Sequence, residues 1–121
     1  MKPLTKQEVF DAVYRHVKRD GRLGQGIAKD GSVMCYYRGP EGQKCVAGAL
    51  IPDKKYMKKL ENKSVQRIMH KFPGVFPEMQ IDAEYLLSRL QYEHDNSDSV
   101  ESLLEKLKLI AKEHKLTIPT I

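Results

Sequence analysis

The chain has 121 residues, 40% hydrophobic and 31% charged, the size and composition of one folded domain with its own apolar core. Its longest unbroken apolar run, Val46 to Ile51, contains Gly48 and falls far short of the roughly 20 residues a membrane span needs. Two cysteines make no disulfide framework, and the Met1–Glu8 start carries no apolar signal core, so a cytoplasmic protein with reduced thiols is expected.

Taken in order, the chain first predicts a helix over 5–19. Thr5 and Glu8 have capping-box spacing, Leu4 and Val9 stand at staple positions, and Val9, Phe10, Val13 and Val17 form an apolar stripe that Asp20-Gly21 ends. Residues 20–31 read as a glycine-rich loop. Its glycines follow a helix and precede a strand in the order G-x-x-G-x-G, the reverse of what a phosphate loop requires, which leaves a surface connection or a flap beside a site. A β-hairpin is expected over 32–46, with Ser32–Arg38 as one arm, Gly39-Pro40-Glu41-Gly42 as the turn and Gln43–Val46 as the other. Such a reversal brings Cys35 and Cys45 within about one residue of opposite each other. Ala47-Gly48-Ala49 then allows another element to approach closely.

Further helices are expected over 53–61, opened by Pro52-Asp53, and over 64–72, capped by Ser64 and bearing Val65, Ile68, Met69 and Phe72. Two more are expected over 82–94, capped by Asp82 and bearing Leu86, Leu87, Leu90 and His94, and over 98–115, opened by Asp98 and Glu101. Leu116–Ile121 is an apolar tail suited to docking or to adding a short strand. The fold class that follows is α+β, a mostly helical single domain of about five helices with one hairpin packed on them.

Three groups of residues carry chemistry. The first is Cys45, His94 and Asp95, with Cys35 in reserve: a thiol nucleophile needs a base and a group that orients the base. The plainer reading makes both cysteines buried hydrophobes and His94 a helix-end residue. The C-x9-C spacing lacks the second ligand pair of a structural zinc site, and no cofactor motif is present. The second group is Tyr36, Tyr37 and Arg38, where strand alternation turns one tyrosine inward and presents the other beside the arginine. The third is a basic run, Lys54, Lys55, Lys58, Lys59, Lys63, Arg67 and Lys71 against Glu61 alone, followed by an acid-rich stretch from Glu78 to Glu105. The run suits a solvated face or nucleic-acid phosphates. Tyr36, Tyr37, Arg38, Lys54, Lys55, Lys58, Lys59 and Arg67 together are the candidate interaction surface.

Three motifs, C-x-Y-R-G (Cys35, Tyr37, Arg38, Gly39), G-x-K-C-x-x-G-x-L-I-P-D (Gly42 to Asp53) and L-Q-x-x-H-D (Leu90 to Asp95), carry a resemblance. The chain resembles a family of small proteins encoded by bacteriophages and prophages, over about half its length. The family brings no settled activity. Ala49 stands where the family's corresponding segment is associated with a cysteine, which argues against a third-thiol metal or redox role. The resemblance implies a small accessory protein in the host cytoplasm that binds a host protein, as a host-factor or anti-defence inhibitor. Alternatives are a protein sequestering a nucleotide or other small ligand, a cysteine-dependent enzyme using Cys45 and His94, and a nucleic-acid binder using the basic helices 54–71.

Overall fold

The computed structural model of the chain describes residues 2–120. Its elements are helix α1 (Lys6–Asp20), strands β1 (Gln25–Ile27) and β2 (Val33–Cys35), three single 3-10 turns (Gly48–Leu50, Asp53–Lys55, Lys58–Leu60), and helices α2 (Val65–Lys71), α3 (Ile81–Asp95) and α4 (Val100–Glu113). The fold is α+β and mostly helical, with four α-helices among the described residues rather than about five.

The helices form where the sequence places them. Thr5 caps α1 through a complete capping box, its side chain accepting from the Glu8 amide while Glu8 Oε1 accepts from the Thr5 amide at 3.0 Å. Gly21, at φ 69°, closes the helix in the left-handed conformation. Ser64 caps α2 and Ser99 caps α4, one residue after the expected Asp98. Asp82 is a first-turn residue of α3, not its cap, which is Gln80. Helix α1 packs on α3, on α4 and on the Gly48–Leu50 turn, and α3 also receives α2 and α4. Phe10, Leu86, Leu87, Leu90, Leu103 and Leu107 fill the shared core with less than 2% of their surface exposed, each contributing about 2 kcal/mol by burial.

Two expectations are corrected. The hairpin lies earlier than 32–46: β1 and β2 pair antiparallel with Ile27 opposite Val33 and Gln25 opposite Cys35, so one arm falls inside the expected 20–31 loop. The loop is Lys29-Asp30-Gly31, with Gly31 N–H donating to Ala28 O at 2.9 Å. Asp30 Oδ1 accepts from the Ser32 amide at 2.9 Å and Gly31 takes φ 87°, the Asx geometry such turns favour. Residues 43–45 do run back beside 36–39, with Gly39 N–H donating to Gln43 O (2.7 Å) and Cys45 N–H to Tyr36 O (2.9 Å). They form no strand, because Tyr36 gives its own amide to Gly24 O at 2.7 Å and Cys45 leads directly into a 3-10 turn. The expected helix over 53–61 is instead two separate turns, Asp53–Lys55 and Lys58–Leu60, divided by extended backbone at Tyr56 and Met57. The tail docks without a strand among the described residues: Gln7 holds Thr117 through both its amide atoms. Leu4 makes a parallel bridge to Met79.

Candidate functional site

His94 and Asp95 end α3, and Cys35 ends β2. Ligand atoms of these three residues lie within 4.8 Å of one another, so His94 and Asp95 meet the reserve thiol Cys35, and the expected nucleophile Cys45 is not part of the group. The hydrogen bonds define its role. His94 Nε2 accepts the Gly24 amide at 2.9 Å, and a backbone N–H can only donate, so Nε2 carries no proton. In the neutral ring Nδ1 then bears it and donates to Asp95 Oδ1 at 3.0 Å. Neither nitrogen is free to accept a thiol proton or to ligate a metal while Gly24 is in place. The carboxylate of Asp95 also accepts from Gln91 Nε2 at 2.7 Å, and Gln91 Oε1 accepts the Ala47 amide at 2.9 Å.

Asp95 therefore anchors two arms, each holding a backbone amide of the irregular region. The thiols are not activated. Burial, with the Asp95 carboxylate beside it, pushes Cys35 up to about 12. Cys45 is 1% exposed, pushed up by burial, and accepts the Gly48 amide at 3.3 Å. The cluster is a clasp.

Tyr37 and Arg38 are also turned to structural work, so the expected outward pair is not presented. The Glu61 carboxylate accepts both successive amides, from Tyr37 and Arg38, at 3.0 Å each, and the Tyr56 hydroxyl at 2.6 Å. Tyr37 is buried, with its hydroxyl donating to Lys63 O. Arg38 reaches Asp53 at 2.8 Å and Ile51 O at 2.5 Å, and its guanidinium stacks on Tyr56 at 5.3 Å. Tyr36 is half-buried over Gly26. Lys54, Lys55, Lys58, Lys59 and Arg67 are exposed, but the first four sit on the two short turns and share no helical face. Lys59 and Lys63 fold over the Phe72 ring at 5.3 and 6.0 Å.

The open surface lies elsewhere. Ile81, Tyr85 and Tyr92 stand on α3 at i, i+4 and i+11 and are 72%, 71% and 63% exposed, a solvent-facing apolar stripe that polar helix faces ordinarily lack. A groove follows this stripe along the α2–α3 seam. Its first section, about 420 Å³, lies between Met69 and His70 of α2 and Ile81 and Tyr85 of α3. A second, about 220 Å³, shares Gln66 and Ser88 with the first and runs past Tyr92. A third, about 370 Å³, shares Lys63, Ser64 and Asp95 with the second and reaches the hairpin at Val33. Val33 and its cross-strand neighbour Ile27 are 64% and 71% exposed. From Ile81 to Asp95 the groove follows about 21 Å of helix. That is room for about six residues of extended chain.

Glu84 and Asp95 on one wall and Lys63 on the other give the groove both signs of charge. The sequence carried a signal for the stripe: Ile81, Tyr85 and Tyr92 fall on the side of α3 away from Leu86, Leu87 and Leu90. Comparison with family models, curated proteins and solved structures returns no match.

Proposed function

We propose that this protein is a non-enzymatic binding module that takes a segment of a protein partner along the α2–α3 groove. The observation that carries the reading is the Ile81–Tyr85–Tyr92 stripe, apolar, two-thirds aromatic by residue and more than half exposed, bordering a groove that reaches the hairpin at Val33. Aromatic anchors beside a mixed-charge rim match the chemistry of protein interfaces, whereas a nucleic-acid surface carries one sign of charge. The clasp chemistry of Cys35, Cys45, His94 and Asp95 supports the same reading, because it leaves no activated nucleophile at the groove's end. The resemblance of the three motifs to phage and prophage proteins points to a host protein as the partner.

Photo-crosslinking tests this. A benzoylphenylalanine at position 85 or 92 should capture one discrete protein from a bacterial lysate, and the same probe at Leu109, exposed on α4, should not. Ile81→Asp should abolish capture from position 85. Equal capture from all three positions would overturn the proposal, and capture of a second copy would assign the face to self-association instead.

A further inference from the structure

A separate cleft of about 540 Å³ lies between the C-terminal half of α1 and the Gly42–Lys44 turn, and it shares no lining residue with the groove. Its volume is that of a small-molecule site. Arg15, His16, Arg19 and Lys44 line it, and Asp20 is the one acid. Asp20 is already neutralised by Arg22, whose Nε lies 3.1 Å away and whose Nη1 donates to Glu41 O at 3.1 Å across the rim. Among the described residues no ion pair engages Arg15, Arg19 or Lys44. Arg15 and Lys44 are half-buried and Arg19 is exposed, so burial falls on their aliphatic stems while the charged heads stay open to a ligand.

The geometry is that of an anion cradle. Arg15 and Arg19 are i, i+4 neighbours with Cβ atoms about 6 Å apart, close enough for two guanidinium forks to share one phosphate. His16 donates Nε2–H to the Lys44 carbonyl at 3.0 Å, which fixes the backbone that brings Lys44 to the same cleft. Ala12 and Ala49 supply a small apolar floor. The C-terminal end of α1 contributes about half a negative charge, which three unpaired cations outweigh.

We propose that this cleft binds a phosphate-bearing small molecule, with its phosphate held by Arg15, Arg19 and Lys44 and the remainder resting on Ala12 and Ala49. Calorimetric titration of the full chain with pyrophosphate and with AMP, in about 50 mM salt, tests it. Saturable binding with Kd below about 1 mM is expected for at least one probe, weakened at least about tenfold by Arg15→Gln with Arg19→Gln and unchanged by Lys58→Gln with Lys59→Gln. Lys44→Gln alone, which leaves α1 untouched, should weaken it as well. Absence of saturable heat up to about 10 mM, or equal loss in the two paired variants, would overturn the proposal. Tighter binding of a single-stranded oligonucleotide that displaces both probes would overturn the small-molecule assignment.

Discussion

At His94 one backbone amide decides the tautomer, and the tautomer decides what the residue does. Nε2 is committed to Gly24 and Nδ1 to Asp95, so the ring is a tie between α3 and the chain entering β1. His94→Ala leaves the buried Gly24 amide without an acceptor and a cavity behind it. A loss of about 2–4 kcal/mol is expected in urea unfolding. Asp95→Asn, which leaves both arms their packing, should cost about 1 kcal/mol.

The thiols yield a pH prediction. Their folded values lie above the unfolded value of about 8.5, so their contribution to stability is complete below that pH. It is lost as pH rises from there toward the folded values. Stability should fall between about pH 8.5 and 11, and the Cys35→Ala, Cys45→Ala double variant should show a flatter profile in the same unfolding series. A thiol reagent at pH 8 should react with the native protein far more slowly than with the unfolded chain. A single fast thiol in the native protein would contradict the clasp.

At the scale of elements, the region from Leu23 to Leu60 is held, outside its short β1–β2 ladder, by close approach rather than by regular hydrogen bonding. A Cβ on Gly48 would stand 2.2 Å from the Tyr37 carbonyl oxygen, and one on Gly24 would stand 2.1 Å from the Cys45 amide. Backbone lies on both sides of each contact, so neither can yield. Gly48→Ala should cost more than 3 kcal/mol or prevent folding. Thr5→Ala, which removes half of a capping box at an exposed helix end, should cost about 1 kcal/mol by the same urea assay.

These two sites also mark the limit of what the sequence makes legible. α1 could be read from Thr5, Glu8 and its stripe because its signals are local, and α2, α3 and α4 were placed to within about two residues by their apolar periods. The hairpin was misplaced because the β-rich Ser32–Arg38 run has two suitors for pairing, before it and after it. Tyr36 in fact bonds both, Gly24 on one side and Cys45 on the other. The Asp30-Gly31 pair carried the stronger turn signal. The helix expected over 53–61 failed for a tertiary reason. Glu61 and Asp53 are recruited to hold Tyr37, Arg38 and Tyr56, and those bonds take precedence over helix propensity. The pairing of His94 and Asp95 with a thiol was legible, but the thiol is Cys35, the reserve candidate, and not Cys45. The direction of each hydrogen bond, which makes them a clasp, was not legible.

Over the whole molecule, the +5 charge is spread over unlike surfaces. The Lys54–Lys59 run lies on two exposed turns, and Arg15, Arg19 and Lys44 converge in a cleft. Charge reversal at Lys55, Lys58 and Lys59 should leave both partner capture and melting temperature unchanged, whereas a nucleic-acid binder would lose steeply salt-dependent affinity. The apolar residues divide in the same way. Leu90→Ala in the core should cost about 3 kcal/mol, while Tyr85→Ala, 71% exposed, should change stability by less than about 0.5 kcal/mol. The central claim is that the exposed stripe of α3 works in binding and not in folding. The measurement that tests it is the dissociation constant of the crosslinked partner for the Ile81→Ala, Tyr85→Ala double variant. Binding weakened at least about tenfold, with melting temperature moved by less than about 3 °C, is the predicted result. Unchanged affinity in a variant that melts normally would contradict it.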